Sequence, residues 1–209
     1  MNTVPHFQEE LDQLKARLLE MGGLAEDRVR SAVKALVERD LALVEQVLAG
    51  DTPINQLHIE IDSRCVKLLA LHQPMAVDLR SILSAVKINT DLERVGDLAI
   101  NIAEAALRYL GHAPVKELID IPRMADIAHG MLRDALDAFV RRDTALAQKV
   151  LDADDALDAL KTQVFRELLT YMLQDTQKIE PSIDLILVSR HLERIGDHAG
   201  LDLERPVDP

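Results

Sequence analysis

Glu93 and Asp97 stand four residues apart in Leu92-Glu-Arg-Val-Gly-Asp97, and Glu193 and Asp197 stand four apart in Leu192-Glu-Arg-Ile-Gly-Asp197. Four residues make slightly more than one helical turn, so each pair presents two carboxylates on one helix face. Like charges at that spacing repel by about a few tenths of a kcal/mol in an isolated helix. The arrangement occurs twice, the first time beside an apolar stripe of Ile88, Leu92, Val95, Ala99, Ile102 and Ala106, and it asks for a compensating cation. That cation is either a basic side chain such as Arg94, which makes a salt-bridge cluster, or a metal, since several carboxylate oxygens suit hard ions such as magnesium, manganese or iron. Each pair also encloses a glycine, Gly96 or Gly196. A glycine inside a helix costs about 1 kcal/mol relative to alanine, a loss explained where a second helix or a ligand comes close to the backbone.

A partner for the first pair lies across the next turn. His58 and Asp62, again four apart, precede Pro74 by about as many residues as Glu93 follows it. At 1.5 Å per residue the levels of His58 and Glu93 differ by only about 5 Å. An imidazole with three carboxylates would be an acceptable ligand set for iron, manganese or zinc, while a half-exposed surface histidine is the plainer reading of His58. In the second half the residue at that level is Asp158, with Thr162 as its weaker neighbour. Asp126-Ile-Ala-His129 is half of a di-iron carboxylate signature, but that signature needs Glu-x-x-His twice and none occurs. This counts against a carboxylate-bridged di-metal oxidoreductase. Cys65 sits among apolar residues and reads as buried. There is no phosphate-cradling glycine loop and no nucleophile–base constellation, so the chain does not read as an enzyme.

The elements that carry these residues are helices. Apolar residues make up 48% and aromatics 2% of 209 residues, so Leu, Ile, Val and Ala must build the core, which suits helix-on-helix packing and not strands. Periodicity predicts a helix from Phe7 to about Glu38, across Gly22-Gly23. A short one follows from Asp40 as N-cap to Leu48, stopped by Gly50, then one from Asp51-Thr52-Pro53 to Leu71 and a long one from Ala76 to Leu110. The pattern returns with a helix from Pro122 to Arg141, a short one from Asp143 to Leu151, one from Asp154 to Leu173, a break at Pro181, and a last helix to about Glu204. Val37–Asp51 aligns with Val140–Asp154 at an offset of 103, and the two acidic motifs align at an offset of 100. A slip of three therefore falls between them, at the turns marked by Pro74 and Pro181. The expected fold is all-α, two tandem three-helix bundles related by internal duplication. The boundary is placed at Gly111–Pro114, giving repeats 1–112 and 113–209.

The net charge of −12 and the absence of a basic patch argue against nucleic acid as a partner. A single cysteine suits a reducing compartment. The polar, acidic start does not read as a signal peptide and no stretch approaches the length of a membrane span, so a cytoplasmic location is expected.

Asn89–Glu104 and Arg190–Ala199, with Leu69–Arg80 and Glu167–Met172, resemble the paired signature of the PhoU family, and the likeness runs from about Phe7 to Ala199. The resemblance implies two three-helix bundles, often dimeric, and a non-enzymatic negative regulator of phosphate uptake and of the phosphate-starvation regulon. Its implied partners are the ATPase subunit of a high-affinity phosphate importer and a membrane-bound sensor histidine kinase, so the chain would meet the membrane only through them. The family's Glu/Asp-x-x-x-Asp pairs imply bound iron or zinc, with manganese or magnesium as alternatives. Carried onto this chain the ligands are Glu93 with Asp97, Glu193 with Asp197, and His58 with Asp62, where His58 replaces the usual acid. After Asp197 the chain reads His-Ala-Gly-Leu201, with Leu201 where the first repeat has Asn101, so the last helix is expected to be about two turns shorter than its counterpart.

Overall fold

The structure is a computed structural model that describes residues 4–50 and 52–201. Its helices are α1 (Val4–Glu38), α2 (Leu41–Ala49), α3 (Thr52–His72), α4 (Ala76–Leu110), α5 (Asp120–Arg141), α6 (Thr144–Gln174) and α7 (Ile179–Leu201), with one 3-10 turn at Thr176–Lys178. There is no strand among the described residues. The three-helix bundles are α1, α3 and α4, with α2 as a short cover, and α5, α6 and α7. Among the described residues no helix is long and apolar enough to cross a membrane.

The local signals act where the sequence places them. Asp40 accepts from the Leu43 amide, and Asp143 from the Ala145 and Leu146 amides, each satisfying the start of the following helix. Arg39 and Arg142, one residue earlier, both adopt the left-handed conformation with φ 56°, a turn that sends Asp40 N–H back to Ala35 O and Asp143 N–H back to Ala138 O. Arg39 is kept there because its guanidinium donates to the Leu110 and His112 carbonyls at 2.9 and 2.7 Å, capping the end of α4.

Two expectations are corrected. The short helix to Leu151 and the restart at Asp154 are in fact one continuous helix, α6. The first repeat breaks at Gly50 and restarts beside Pro53, whereas Leu151–Ala156 contains neither glycine nor proline to stop propagation. Pro181 does not break the chain either. It is the third residue of α7, in the first turn, where its missing N–H is not needed, and the interruption is Asp175, whose side chain accepts from the Gln177 amide. The expected end at Glu204 lies outside the described residues.

The core is continuous across both repeats. Leu14, Leu18, Met21, Ile61, Ile82, Leu92, Ile102, Leu157, Leu168 and Val188 are all essentially inaccessible. α4 packs on α1, α2 and α3 of its own repeat and on α7 of the other, while α1 packs on α5. At the α1–α5 crossing, Leu136 occupies the space where a side chain on Gly22 would stand.

Candidate acidic sites on the two hairpins

The two pairs lie on α4 and α7, and the helix that each faces is fixed by its glycine. A Cβ on Gly96 would stand 3.1 Å from Ile54 Cδ1 of α3, and one on Gly196 would stand 2.5 Å from Leu157 Cδ2 of α6. Ile54 and Leu157 are 103 positions apart and the glycines are 100 apart, so the slip of three does fall in the hairpin turns. Close approach of a neighbouring helix accounts for both glycines. It also defines true equivalents across the hairpin: Asn55 matches Asp158, His58 matches Lys161, and Asp62 matches Phe165.

Along α4 the polar stripe does not stay at one depth. Asn89 is fully buried, Glu93 is half-buried and Asp97 is exposed, because each step of four overshoots a helical turn by about 40°. Ser189, Glu193 and Asp197 repeat the gradient on α7. Asn89 is the structural anchor of the first hairpin. Its amide donates to the His58 carbonyl at 3.0 Å and to Asp62 Oδ1 at 3.2 Å, and His58 Nδ1 lies 3.4 Å from the Asn89 carbonyl. His58 and Asp62 are thus drawn to Asn89. Arg94, the basic neighbour considered for Glu93 and Asp97, turns instead to Asp91 at 3.5 Å. The cation closest to the backbone between that pair is Arg28 of α1. It is only 9% exposed, and its Nη1 lies 3.6 Å from where a Gly96 Cβ would be.

The second hairpin gathers more charge. Glu193 and Asp197 of α7 face Asp154 and Asp158 of α6, and Lys161 reaches in from α6. Lys161 Nζ lies 2.7 Å from Asp158 Oδ1 and 2.7 Å from Glu193 Oε1. Asp197 is exposed as a residue, but partial loss of solvent at its carboxyl, then the charges of Glu193, Asp154 and Asp158, push that carboxyl above its ordinary range. Burial, then Asp158 and Glu193, do the same to Asp154. The hydrogen bonds to Asp158 and Glu193 raise Lys161 in turn.

These shifts carry a sign. A carboxyl whose folded value is raised adds stability that is fully present below its unfolded value of about 3.9 and is lost as pH rises through the folded value. Asp197→Asn removes the repulsion. In protein stripped of divalent cations the variant should melt about 1–2 °C higher than the parent at pH 7, and the gap should close below pH 4. A variant that melts lower at pH 7 would show that Asp197 is compensated.

Among the described residues, no three His, Cys, Asp or Glu side chains converge as a ready-made metal shell. The second hairpin nonetheless gathers the chemistry a hard cation favours: two carboxylates, Asp158 and Glu193, meet one ammonium, and their charges help push up the nearby Asp154 and Asp197. The first hairpin offers Glu93 and Asp97, with His58 and Asp62 engaged elsewhere. Asp154, Lys161 and Arg28 were missed in the sequence reading. Asp154 reads there as the start of a helix, and nothing in the local sequence singles out Lys161. Arg28 had a legible signal, because it interrupts the buried series Met21, Ala25, Ala32 and Ala35 on one face of α1. Cys65 is buried as expected, and burial, with the charge of Asp62, pushes its thiol up to about 11, which leaves it unreactive.

A duplicated helical bundle with an acidic pair on the last helix of each repeat defines the class of this protein. The PhoU domain matches it twice, over residues 18–106 and 121–200, and the chain belongs to the PhoU family. It is 42% identical over 199 residues to a phosphate-specific transport system accessory protein PhoU homolog of Caulobacter vibrioides, covering 95% of this chain and 86% of that one. It is 41% identical over 194 residues to the homolog of Rhizobium meliloti, covering 92% and 82%. The crystal structure of PhoU from Pseudomonas aeruginosa superposes with a TM-score of 0.89 at 40% identity, covering 95% of both chains. That of the phosphate transport system regulatory protein PhoU from Streptococcus pneumoniae gives 0.87 at 29% identity, covering 96% of this chain and 95% of that one.

Proposed function

We propose that this chain is a non-enzymatic accessory protein of a phosphate transport system, acting as a negative regulator of phosphate uptake and of the phosphate-starvation response. The observation that supports the reading is that the PhoU domain matches both repeats and that nearly the whole chain matches proteins named as accessory proteins of a phosphate-specific transport system. The partners that suit it are the ATPase subunit of a high-affinity phosphate importer and a sensor histidine kinase, with the chain working in the cytoplasm as a homodimer. A net charge of −12 favours basic docking surfaces on those partners and disfavours nucleic acid. Deleting the chain from its host is expected to leave phosphatase expression high in phosphate-rich medium, and pull-down should recover the ATPase subunit. Unchanged repression in the deletion strain would overturn the proposal.

The acidic hairpins form the second part of the reading. Glu193 and Asp197, with Asp154 and Asp158, would hold one metal ion, and Glu93 and Asp97, with His58 and Asp62, another. Oxygen donors favour iron, manganese or magnesium, and zinc suits the set that includes His58. A bound ion would supply a cross-link between the two helices of each hairpin. Elemental analysis of untagged protein tests this, and near-zero metal would remove it.

A further inference from the structure

We propose that the ammonium of Lys161 is a tethered counter-ion that keeps the α6–α7 acidic cluster assembled without a metal, and that a metal bridging the two helices through the same Asp158 and Glu193 oxygens must displace it. The first half of the proposal stands on contacts within the chain; the second rests on the metal reading above.

Three observations carry it. Lys161 Nζ is held at 2.7 Å by a carboxylate from each helix, Asp158 on α6 and Glu193 on α7, so one side chain closes the hairpin as a bridging ion would. The Lys161 side chain is 32% exposed and that of Glu193 16%, which shields the Glu193 contact from full screening, while the Asp158 side chain is exposed. The hairpin register makes His58 the counterpart of Lys161, and His58 lies against the Asn89 carbonyl instead. A lysine at this register position is therefore peculiar to the second hairpin, where Asp158 stands in place of Asn55. A lysine has no lone pair to offer a metal while protonated, and an ion that takes Glu193 Oε1 and Asp158 Oδ1 as ligands must take them from Lys161. On those two oxygens the two states are mutually exclusive.

The test compares the full chain with Lys161→Met and with Lys161→Met/Glu193→Gln, all stripped of divalent ions and then titrated with Mn²⁺. Without metal, Lys161→Met is expected to melt about 2–4 °C below the parent, and the added Glu193→Gln should recover most of that loss. Lys161→Met is expected to bind Mn²⁺ about tenfold more tightly than the parent, with the gain lost in the double variant and the melting loss reversed by Mn²⁺. An unchanged melting temperature overturns the counter-ion. Mn²⁺ bound with equal affinity by the parent and Lys161→Met overturns the competition. If no protein takes up millimolar Mn²⁺ while Lys161→Met alone is destabilised, the metal reading falls and Lys161 stands as the cluster's own cation.

Discussion

Gly196→Val is expected to lower stability by about 2–3 kcal/mol, and Gly96→Val by less. A Cβ at 196 would stand 2.5 Å from Leu157 Cδ2 and 3.3 Å from both Cε and Sδ of Met131, and Leu157 and Met131 are buried at 0% and 2%. Leu157 must change rotamer for the first carbon, and the two Cγ methyls of valine then have no space between α5, α6 and α7. At 96 the nearest atoms are Ile54 Cδ1 at 3.1 Å and Cγ2 at 3.4 Å, a contact that a few tenths of an ångström relieves. Valine is a slightly better helix former than glycine, which offsets only a small part of either loss. The measurement is the urea midpoint at unchanged slope. The site would register the same change, because forcing α6 from α7 parts Asp158 and Lys161 from Glu193. Equal losses at the two glycines would mean that the second hairpin yields as readily as the first.

The glycines were legible because their cost is local. A mid-helix glycine inside a charged pair asks for a close neighbour whatever the fold, and Ile54 and Leu157 are those neighbours. The caps at Asp40 and Asp143, the duplication and the end of α4 at Gly111 were legible for the same reason, since each is written in contiguous residues. Which side chains meet the pairs was legible only in part. Counting residues back from Pro74 put His58 level with Glu93, and the Asn89 contacts one turn away agree with that level. Level alone does not say which way a side chain turns, so Asp154 and Lys161, one turn to either side of Asp158, became visible only in the packed helices. Asn89 stands four residues before Glu93 and so shares its helix face in the sequence, yet it is the buried anchor that holds His58 and Asp62. Only the 40° drift per four residues, summed from a known core face, would have shown it turning inward.

Arg108→Ala should cost about 2–3 kcal/mol, through the carboxylate it leaves behind. Arg108 Nε lies 2.8 Å from Asp184 Oδ1 and ties α4 of the first repeat to α7 of the second. The Asp184 side chain is 7% exposed and that of Arg108 is 52% exposed. Breaking a fully buried pair costs about 3–5 kcal/mol, since one charge stays behind without a partner. Water already reaches the guanidinium side here, which reduces the loss. The desolvated partner decides the sign of the rescue. Arg108→Ala/Asp184→Leu removes the stranded carboxylate and should recover most of the stability, because replacing both members of a buried pair by apolar groups is often neutral. Arg108 also contributes, after burial, Arg194 and Arg190, to holding the His191 imidazole below its usual value, so its removal should let that imidazole titrate higher. If Arg108→Ala loses under 1 kcal/mol and the double variant gains nothing back, water solvates Asp184 in the interface. Arg108 then contributes little to holding the two repeats together, and their apolar core and the His198–Asp91 and His129–Glu26 contacts carry that role.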